Sequence, residues 1–294
     1  MIEILASQVV SGLATGCVYA LVALGFVLIY KATDVVNFAQ GNMAMFSTYL
    51  AWSFLQAGLP YWVTFALTVI IAFVGGLLIE RIVIRPVEGA PILTIVIVTL
   101  GLLVICNSIA GWVWTYLQKP FPSPFPREPI RVGNVVFGAH DLGEIGVTLV
   151  MLALLFAFFR FTPLGLAMRA AAQNPVSSRL AGIRVSWMLA LGWGLAAVFG
   201  AVAGLMVAPI LTLDPNMMGG IQIYAFAAAT LGGFTSPVGA VVGGFMVGIV
   251  ENLVGTYVSF IGTELKLTVA LAMIIIVLLV KPSGLFGRTH TRRV

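Results

Sequence analysis

Charged residues are scarce in this sequence. Asp, Glu, Lys and Arg together make up 9% of the 294 residues, whereas 61% are hydrophobic and the mean hydropathy is +1.10. A soluble globular domain is about half apolar and about a quarter charged. A soluble fold of this length could not hide so much apolar surface from water. The composition therefore excludes a soluble protein and predicts a polytopic integral membrane protein, with one membrane domain over residues 1–294.

Groups that carry chemistry are also rare. The two cysteines, Cys17 and Cys106, lie inside apolar runs and give neither a disulfide framework nor metal-ligand spacing. We expect His140 and His290 to lie in loops, apart from any cluster of Cys or acidic residues, so no metal site is predicted. The sequence contains neither GxxxxGK followed by Ser or Thr nor GxSxG. These absences argue against P-loop nucleotide binding and hydrolytic catalysis, and they predict a chain that is not an enzyme and has no cofactor of its own.

The N-terminus and the net charge point the same way. The first residues, MIEILASQ, lack the basic region of a cleaved signal peptide. We therefore expect no cleavage, with the first span serving as the insertion signal. The net charge of +5 suits orientation in a bilayer and contact with anionic lipid headgroups, and it gives no reason to expect nucleic acid.

Apolar runs predict an all-α membrane fold. A span needs about 20 mostly apolar residues, and eight or nine such runs occur. They lie near residues 8–30, 39–56, 62–84, 92–116, 143–160, 186–209, 220–235, 237–258 and 264–281. The run 220–235 is short and predicts a half-helix or a re-entrant segment. A broken segment in each half, at residues 37–42 and 216–233, is typical of transporters with internal repeats and points to the pathway.

Lys and Arg in the short loops predict the orientation. They cluster after the third, fifth and last spans, at Arg81, Arg85, residues 160–184, Lys281, Arg288, Arg292 and Arg293. If successive spans alternate in direction, all three clusters can lie in the cytoplasm, with the N-terminus outside and the C-terminus inside. The loop 117–142 is then external. Its basic residues are balanced by Glu128, Asp141 and the nearby Glu144, and its prolines favour an extended cover, either as a connector or as a partner contact.

The basic stretch 160–184 contains four arginines and no acidic residue. Thr162 before Pro163 and Asn174 before Pro175 each predict an N-cap followed by the first residue of a short helix, and Gly182 predicts a stop. Apolar residues share one face in each helix, at Leu164, Met168 and Ala171 and at Val176, Leu180 and Ile183. The stretch is either a loop that fixes the topology or a docking element for a partner.

Polar residues inside the spans are candidates for function. Unpaired amides in hydrocarbon cost several kcal/mol, so Asn37, Gln40 and Asn42 must find partners or face water. They form either a polar helix start at the interface or the lining of a substrate path. Glu251 is expected near mid-span, where a charge costs roughly 2.5–3.5 kcal/mol. Glu251 and Asn252 should therefore face the bundle interior, for helix–helix hydrogen bonding or for the pathway.

Glycines at spacings of about four predict close helix packing. They are Gly200, Gly204, Gly239, Gly243, Gly244 and Gly248.

The motif N-F-A-Q-G at residues 37–41 is similar to the N-F-A-H-G or N-F-A-Q-G signature of a known family. That family is the shorter permease subunit of the branched-chain amino acid ABC importers. Further motifs resemble it in the family's order, at residues 80–86, 165–174, 181–183, 231–244 and 281–287. The resemblance covers nearly the whole chain. Two departures stand out, because many relatives have a histidine at the position of Gln40 and an acid at that of Asn42.

The resemblance implies a fold like that of type II importer permeases in the bacterial inner membrane. It also implies a second, longer permease subunit, two cytoplasmic ATP-binding subunits and a periplasmic substrate-binding protein. By the same match, Gly165, Arg169, Ala170, Asn174, Ala181 and Gly182 are expected to couple to the ATPase. The substrate path is expected at Asn37, Phe38, Gln40, Gly41, Asn42, Glu251 and Asn252.

The uncharged path suits a small, overall neutral solute, and relatives carry urea, short amides and aromatic acids as well as leucine, isoleucine and valine. The alternative is a stand-alone secondary transporter or channel for a small neutral solute. That class would need charged coupling-ion ligands deep in several spans, where the sequence offers only Glu251. A membrane-embedded enzyme would need a clustered set of His, Asp or Cys.

Overall fold

The computed structural model describes residues 2–126, 128–132, 135–258 and 265–287. The helices are α1 (Ile2–Thr33), α2 (Gln40–Gln56), α3 (Tyr61–Ile79), α4 (Ile92–Trp114), α5 (Ala139–Phe161), α6 (Pro163–Gln173), α7 (Pro175–Leu180), α8 (Val185–Leu211), α9 (Met218–Gly232), α10 (Pro237–Tyr257) and α11 (Lys266–Val280). A π-helical turn (Glu80–Ile84) and a 3-10 turn (Arg85–Val87) extend α3. Arg127, Arg288, His290, Arg292 and Arg293 lie outside the described residues.

The helix lengths confirm an all-α polytopic membrane fold. Within the described residues, six helices are long and apolar enough to cross a membrane: α1, α3 with its extension to Val87, α4, α5, α8 and α10. Three others are shorter, with 17 residues in α2 and 15 each in α9 and α11. The short α2 and α9 correspond to the two broken segments of the sequence.

The helix contacts repeat between the two halves of the chain. Helix α1 packs on α10, and α8 packs on α3. Helix α9 packs on α1 and on α11, just as α2 packs on α8 and on α4. The quartet α1–α4 therefore corresponds to the quartet α8–α11. The four crossings α2 to α5 lie between α1 and α8. Successive crossings alternate in direction, so α1 and α8 run in opposite directions and the two quartets have inverted topology, which is the arrangement of many transporters.

Helices α1 and α8 form the centre of the bundle. In their most apolar windows, 89% of the α1 residues and 78% of the α8 residues are buried, against 11% for both α4 and α5. Such central helices are apolar all round because protein surrounds them on every side. Helices α4 and α5 are apolar because hydrocarbon surrounds most of their surface.

The segment between α4 and α5 is shorter than predicted. Helix α5 begins at Ala139, so the last residues of the predicted loop 117–142 are helical. His140, expected in a loop, lies in the first turn of α5, where its Nδ1 is 2.9 Å from Ser123 Oγ and its Nε2 is 2.8 Å from Met206 O. The loop is extended, as its prolines indicate. It contains the antiparallel strands β1 (Ile130–Val132) and β2 (Val135–Phe137).

Candidate functional site

Two reversals of the chain bring the starts of α2 and α9 together. Asp34, the residue after α1, has φ +55°, and Thr212, the residue after α8, has φ +66°. Positive φ is uncommon in non-glycine residues, and here it turns the chain back into the bundle from each end. Residues 35–39 and 213–217 follow these turns. Gln40 then lies beside Ala196 and Gly200, near the middle of α8, so α2 begins deep inside the bundle.

The Gln222 side chain joins the two short helices. Its Nε2 donates to Phe38 O at 2.7 Å, and its Oε1 accepts from Gly41 N at 3.0 Å. These main-chain groups lie where α2 begins, and the first N–H groups of a helix have no partner within it. One amide on α9 therefore satisfies both a carbonyl and an N–H at the start of α2. Met218 Cβ would lie 3.3 Å from a Cβ at Gly41, so glycine also allows close contact here.

Asn37 and Gln40 are fully buried and bonded within the chain. Gln40 Nε2 donates to Ala196 O at 2.8 Å, and Asn37 Nδ2 lies 3.5 Å from Gln40 Oε1 and 3.4 Å from Met43 Sδ. Asn37 Oδ1 accepts from Ala39 N at 3.0 Å. The two amides thus find protein partners, as the cost of an unpaired amide requires. They hold the break before α2 in place.

Other groups at this junction remain partly accessible. Phe38, Asn42 and Gln222 are half-buried, and Gly219 and Gly220 in the first turn of α9 are exposed, with open space where a side chain would lie. Each helix start carries a partial positive charge from its peptide dipoles. The junction therefore joins two positive helix ends beside an open face, which favours a carboxylate or another electron-rich group of a solute.

Glu251 contacts two tyrosines from other helices. Tyr19 of α1 donates its hydroxyl to Glu251 Oε2 at 2.6 Å, and Tyr224 of α9 bonds to the same carboxyl. The two rings stack with centroids 4.9 Å apart. Asn252 Nδ2 donates to Gln8 O at 2.7 Å and to Gln8 Oε1 at 2.9 Å. Both predicted residues therefore face α1 and link it to α10 by hydrogen bonds, while Glu251 also reaches α9.

The structure adds two buried carboxyl groups to Glu251. Glu144, counted above with the external charges, is 1% exposed on α5, and its Oε1 has no partner among the described residues. Glu80 is 2% exposed in the π-helical turn after α3. Glu144 lies in the second turn of α5 and Glu80 directly after α3, so both are near helix ends, and the burial of either side chain was not predicted from the sequence. The sequence feature that could have predicted burial of Glu144 is its spacing of four from Thr148, which places both on one face of α5. Thr148 is also fully buried.

The basic stretch folds into the two predicted helices. Thr162 Oγ1 accepts from Gly165 N at 3.0 Å and caps α6, and Asn174 Oδ1 accepts from Ser177 N at 3.0 Å and caps α7. Gly182 has φ +83°, the left-handed geometry expected of a helix stop. A Cβ at Gly165 would lie 2.7 Å from Phe159 Cα, so this glycine allows α6 to fold tightly back against α5.

The outer surface of this stretch combines positive and apolar groups. Arg169, Asn174, Ala181 and Gly182 are exposed and Ala170 is half-buried. Val176 and Leu180 of α7 are 67% and 86% exposed, so the predicted apolar face of α7 does not pack on the chain. On α6, Met168 and Ala171 are buried, but Leu164 is 50% exposed. Helix α6 contacts α1, α5 and α8, which makes it a direct link between this surface and the bundle centre.

Gln222, Tyr19 and Tyr224 were not predicted from the sequence as functional residues. Gln222 could have been found, because it is an amide within the predicted half-helix 220–235 and an amide in hydrocarbon needs a partner. Tyr19 and Tyr224 gave no comparable signal, since tyrosines in apolar helices are common at packing positions.

Comparisons with known proteins cover nearly the whole chain. The family model described as the permease component of branched-chain amino acid transport systems matches residues 8–278. The high-affinity branched-chain amino acid transport permease proteins LivH of Salmonella typhimurium and Escherichia coli are each 31% identical over 304 residues. Each match covers 98% of this chain and 97% of the relative. BraD of Pseudomonas aeruginosa is 28% identical, with the same coverage.

Among solved structures, PsaBC from Streptococcus pneumoniae in complex with Fab is similar to this chain, with 16% sequence identity and a TM-score of 0.46. The match covers 96% of this chain and 92% of the PsaBC chain. The family model and the LivH relatives extend over both short helices, the junction between them and the basic stretch. The chain therefore belongs to the family of permease components of branched-chain amino acid transport systems.

Proposed function

We propose that this permease carries a small amino acid with an apolar side chain, of the branched-chain class, across the inner membrane. The observation that carries the proposal is the junction of α2 and α9 in a chain of this family. Its two positive helix ends suit the carboxylate of an amino acid. The half-buried Phe38 and Asn42 supply an apolar and an uncharged polar contact beside them.

The path in this proposal includes all the residues named from the sequence. Phe38, Gly41 and Asn42 border the solute, whereas Asn37 and Gln40 hold the break in position from inside the chain. Glu251 and Asn252 act at the contacts of α10 with α1, where a change in helix packing would alter access. Gating then consists of movement of α2 relative to α9, with Gln222 as the link between them.

The energy source in this proposal lies in other subunits. A second, longer permease completes the path, two cytoplasmic ATPases bind and hydrolyse ATP, and a periplasmic binding protein delivers the solute. The N-terminus is outside and the C-terminus inside, so α6 and α7 face the ATPases. The exposed Val176 and Leu180 suit an apolar groove on such a partner, and the arginines suit its acidic rim. This chain holds no cofactor and catalyses no reaction itself.

Reconstitution tests the proposed function. Proteoliposomes with both permeases, the ATPases and the binding protein should concentrate leucine, isoleucine or valine when ATP is present on the ATPase side. Omission of the ATPases should abolish accumulation. Accumulation without them would instead support a stand-alone transporter. Accumulation of urea or an aromatic acid, but of no branched-chain amino acid, would contradict the proposed substrate and leave the proposed machinery intact.

Reversal of the charge at Arg169 should uncouple ATP hydrolysis from transport. Arg169→Glu places a negative charge on the exposed surface of α6, where we expect an ATPase contact. Like-charge contacts at an interface cost several kcal/mol, so uptake should fall at least tenfold while hydrolysis by the assembled complex continues. Arg160→Glu reverses an exposed arginine in the last turn of α5 and should change uptake less than twofold. Normal uptake with Arg169→Glu would leave the stretch as a loop that only fixes topology.

A further inference from the structure

A cavity of about 670 Å³ lies beside the basic stretch, outside the α2–α9 junction. Its floor is the last part of α1, its sides are α5, α8 and α10, and α6 and α7 close one end. The volume is within the range of about 300–1,000 Å³ that is usual for small-molecule sites. No residue of the proposed substrate path borders it, so the cavity is separate from that path.

The lining divides into an apolar wall and a charged end. Three lining residues are basic (Lys31, Arg169 and Arg179) and one is acidic (Glu88), while every other lining residue is apolar. The charged groups come from the last turn of α1, from α6 and α7 and from the turn after α3. The wall includes Leu24, Leu152, Leu155, Phe159 and Val241. An occupant must therefore be apolar over most of its length and negatively charged at one end.

The apolar part of the cavity adjoins the lipid-facing surface. Phe156 of α5 and Val238 of α10 border the cavity and are 66% and 68% exposed. Both helices are long and apolar enough to cross a membrane, and each packs on α1. A chain that enters between α5 and α10 comes directly from the bilayer, with its charged end at the level of the basic stretch. This placement matches basic pockets between transmembrane helices that bind lipid headgroups.

We propose that this cavity binds one anionic phospholipid. The phosphate lies against Arg169 and Arg179, and one acyl chain lies along the wall formed by α5, α8 and α10. Burial of an acyl chain in protein exchanges one apolar environment for another, so charge supplies the preference for this lipid. Because Arg169 is also the proposed ATPase contact, the lipid would couple the lipid composition of the membrane to the conformation of α6.

Two kinds of variant separate the headgroup contact from the chain contact. Arg169→Ala combined with Arg179→Ala removes two basic residues, each worth about fivefold in affinity, or roughly 25-fold together. Gly192→Leu fills the cavity from α8. A Cβ at Gly192 has 3.8 Å to its nearest neighbours, so the larger side chain has room to extend into the cavity. Arg184→Ala and Gly101→Leu are matched controls, since neither residue lines the cavity.

The test titrates the full chain in detergent with dioleoyl phosphatidylglycerol or dioleoyl phosphatidylcholine and counts retained lipids by native mass spectrometry. We expect one retained phosphatidylglycerol, at least tenfold weaker retention of phosphatidylcholine, about 25-fold weaker binding by the double arginine variant and loss of binding by Gly192→Leu. Both controls should bind like the wild type. The complex with its partner subunits should retain the same lipid.

Several outcomes would overturn the proposal. They are equal retention of both lipids, unchanged affinity in the double arginine variant, and unchanged affinity in Gly192→Leu. Displacement of the lipid by glycerol 3-phosphate at equal concentration would assign the site to a soluble phosphate. Absence of the lipid from the assembled complex would assign the cavity to a partner subunit. The readout is lipid retention, so it remains decisive even if the transported solute differs from the one proposed.

Discussion

Gly248→Leu should strongly destabilise the folded protein. Gly248 lies on the seam between α1 and α10, where a Cβ would overlap the carbonyl oxygen of Gly12 and the N–H of Gly16. The neighbouring Gly244 has the same problem, because its Cβ would lie 2.6 Å from Ala20 Cα. These contacts are with backbone, which cannot rotate away as a side chain can. A leucine there must push two central helices apart, at a cost of about 3 kcal/mol or more.

The graded variant Gly248→Ala separates packing from helix propensity. Alanine is favoured over glycine inside a helix by about 1 kcal/mol, but the overlap with Gly12 and Gly16 exceeds this gain, so Gly248→Ala should still lower stability. Gly101→Leu is the control, because no atom lies within 4 Å of a Cβ at this exposed position on α4. Thermal unfolding in detergent, followed by size-exclusion chromatography, measures all three. If Gly248→Leu melts at the wild-type temperature, the close packing of α1 against α10 at Gly248 is disproved.

Gln222→Leu should reduce uptake at least tenfold per assembled complex. The change removes the acceptor for Gly41 N and the donor to Phe38 O, and no helical partner replaces them at the start of α2. Each buried main-chain group left without a partner costs about 1–3 kcal/mol. The start of α2 should then shift or unwind, and the two helix starts should no longer move together.

The isosteric variant Gln222→Glu tests each half of the link. Its carboxyl still accepts from Gly41 N but, when ionised, it no longer donates to Phe38 O, so uptake should lie between that of the wild type and that of Gln222→Leu. Gln56→Leu replaces the exposed glutamine at the far end of α2 and should transport normally. Uptake is measured in proteoliposomes and divided by the amount of complex. If Gln222→Leu transports like Gln56→Leu, the link has no part in gating.

The positions of the helices followed from the sequence because their causes are local. Hydropathy over about 20 residues locates the long spans, and the pairs Thr162–Pro163 and Asn174–Pro175 locate the starts of α6 and α7. The broken segments at residues 37–42 and 216–233 were predicted because Asn, Gln or Gly residues interrupt the apolar runs there. The family motif at residues 37–41 then indicated a functional role for the first of these segments, and membership of the family is confirmed.

Burial of the polar groups could not be predicted in the same way. Asn37, Gln40 and Asn42 look alike in the sequence, yet the first two are fully buried and the third is half-buried. Glu144 looked like a loop charge, yet it is enclosed within the bundle. Each outcome depends on which helix packs beside the residue. Neighbouring helices are far apart in the chain, and hydropathy carries no information on which of them meet.

By itself, the sequence determined the membrane class, the order of the spans, the caps of the basic stretch and the family. Only the tertiary structure decided that α2 and α9 start against each other and that Gln222 joins them. Gln222 and Gly41 are 181 residues apart. Their contact exists because the glycine seam between α1 and α10 and the packing of α2 on α8 fix both helices in place. A local pattern fixes where a helix begins, whereas the packing of the whole bundle fixes what that beginning touches.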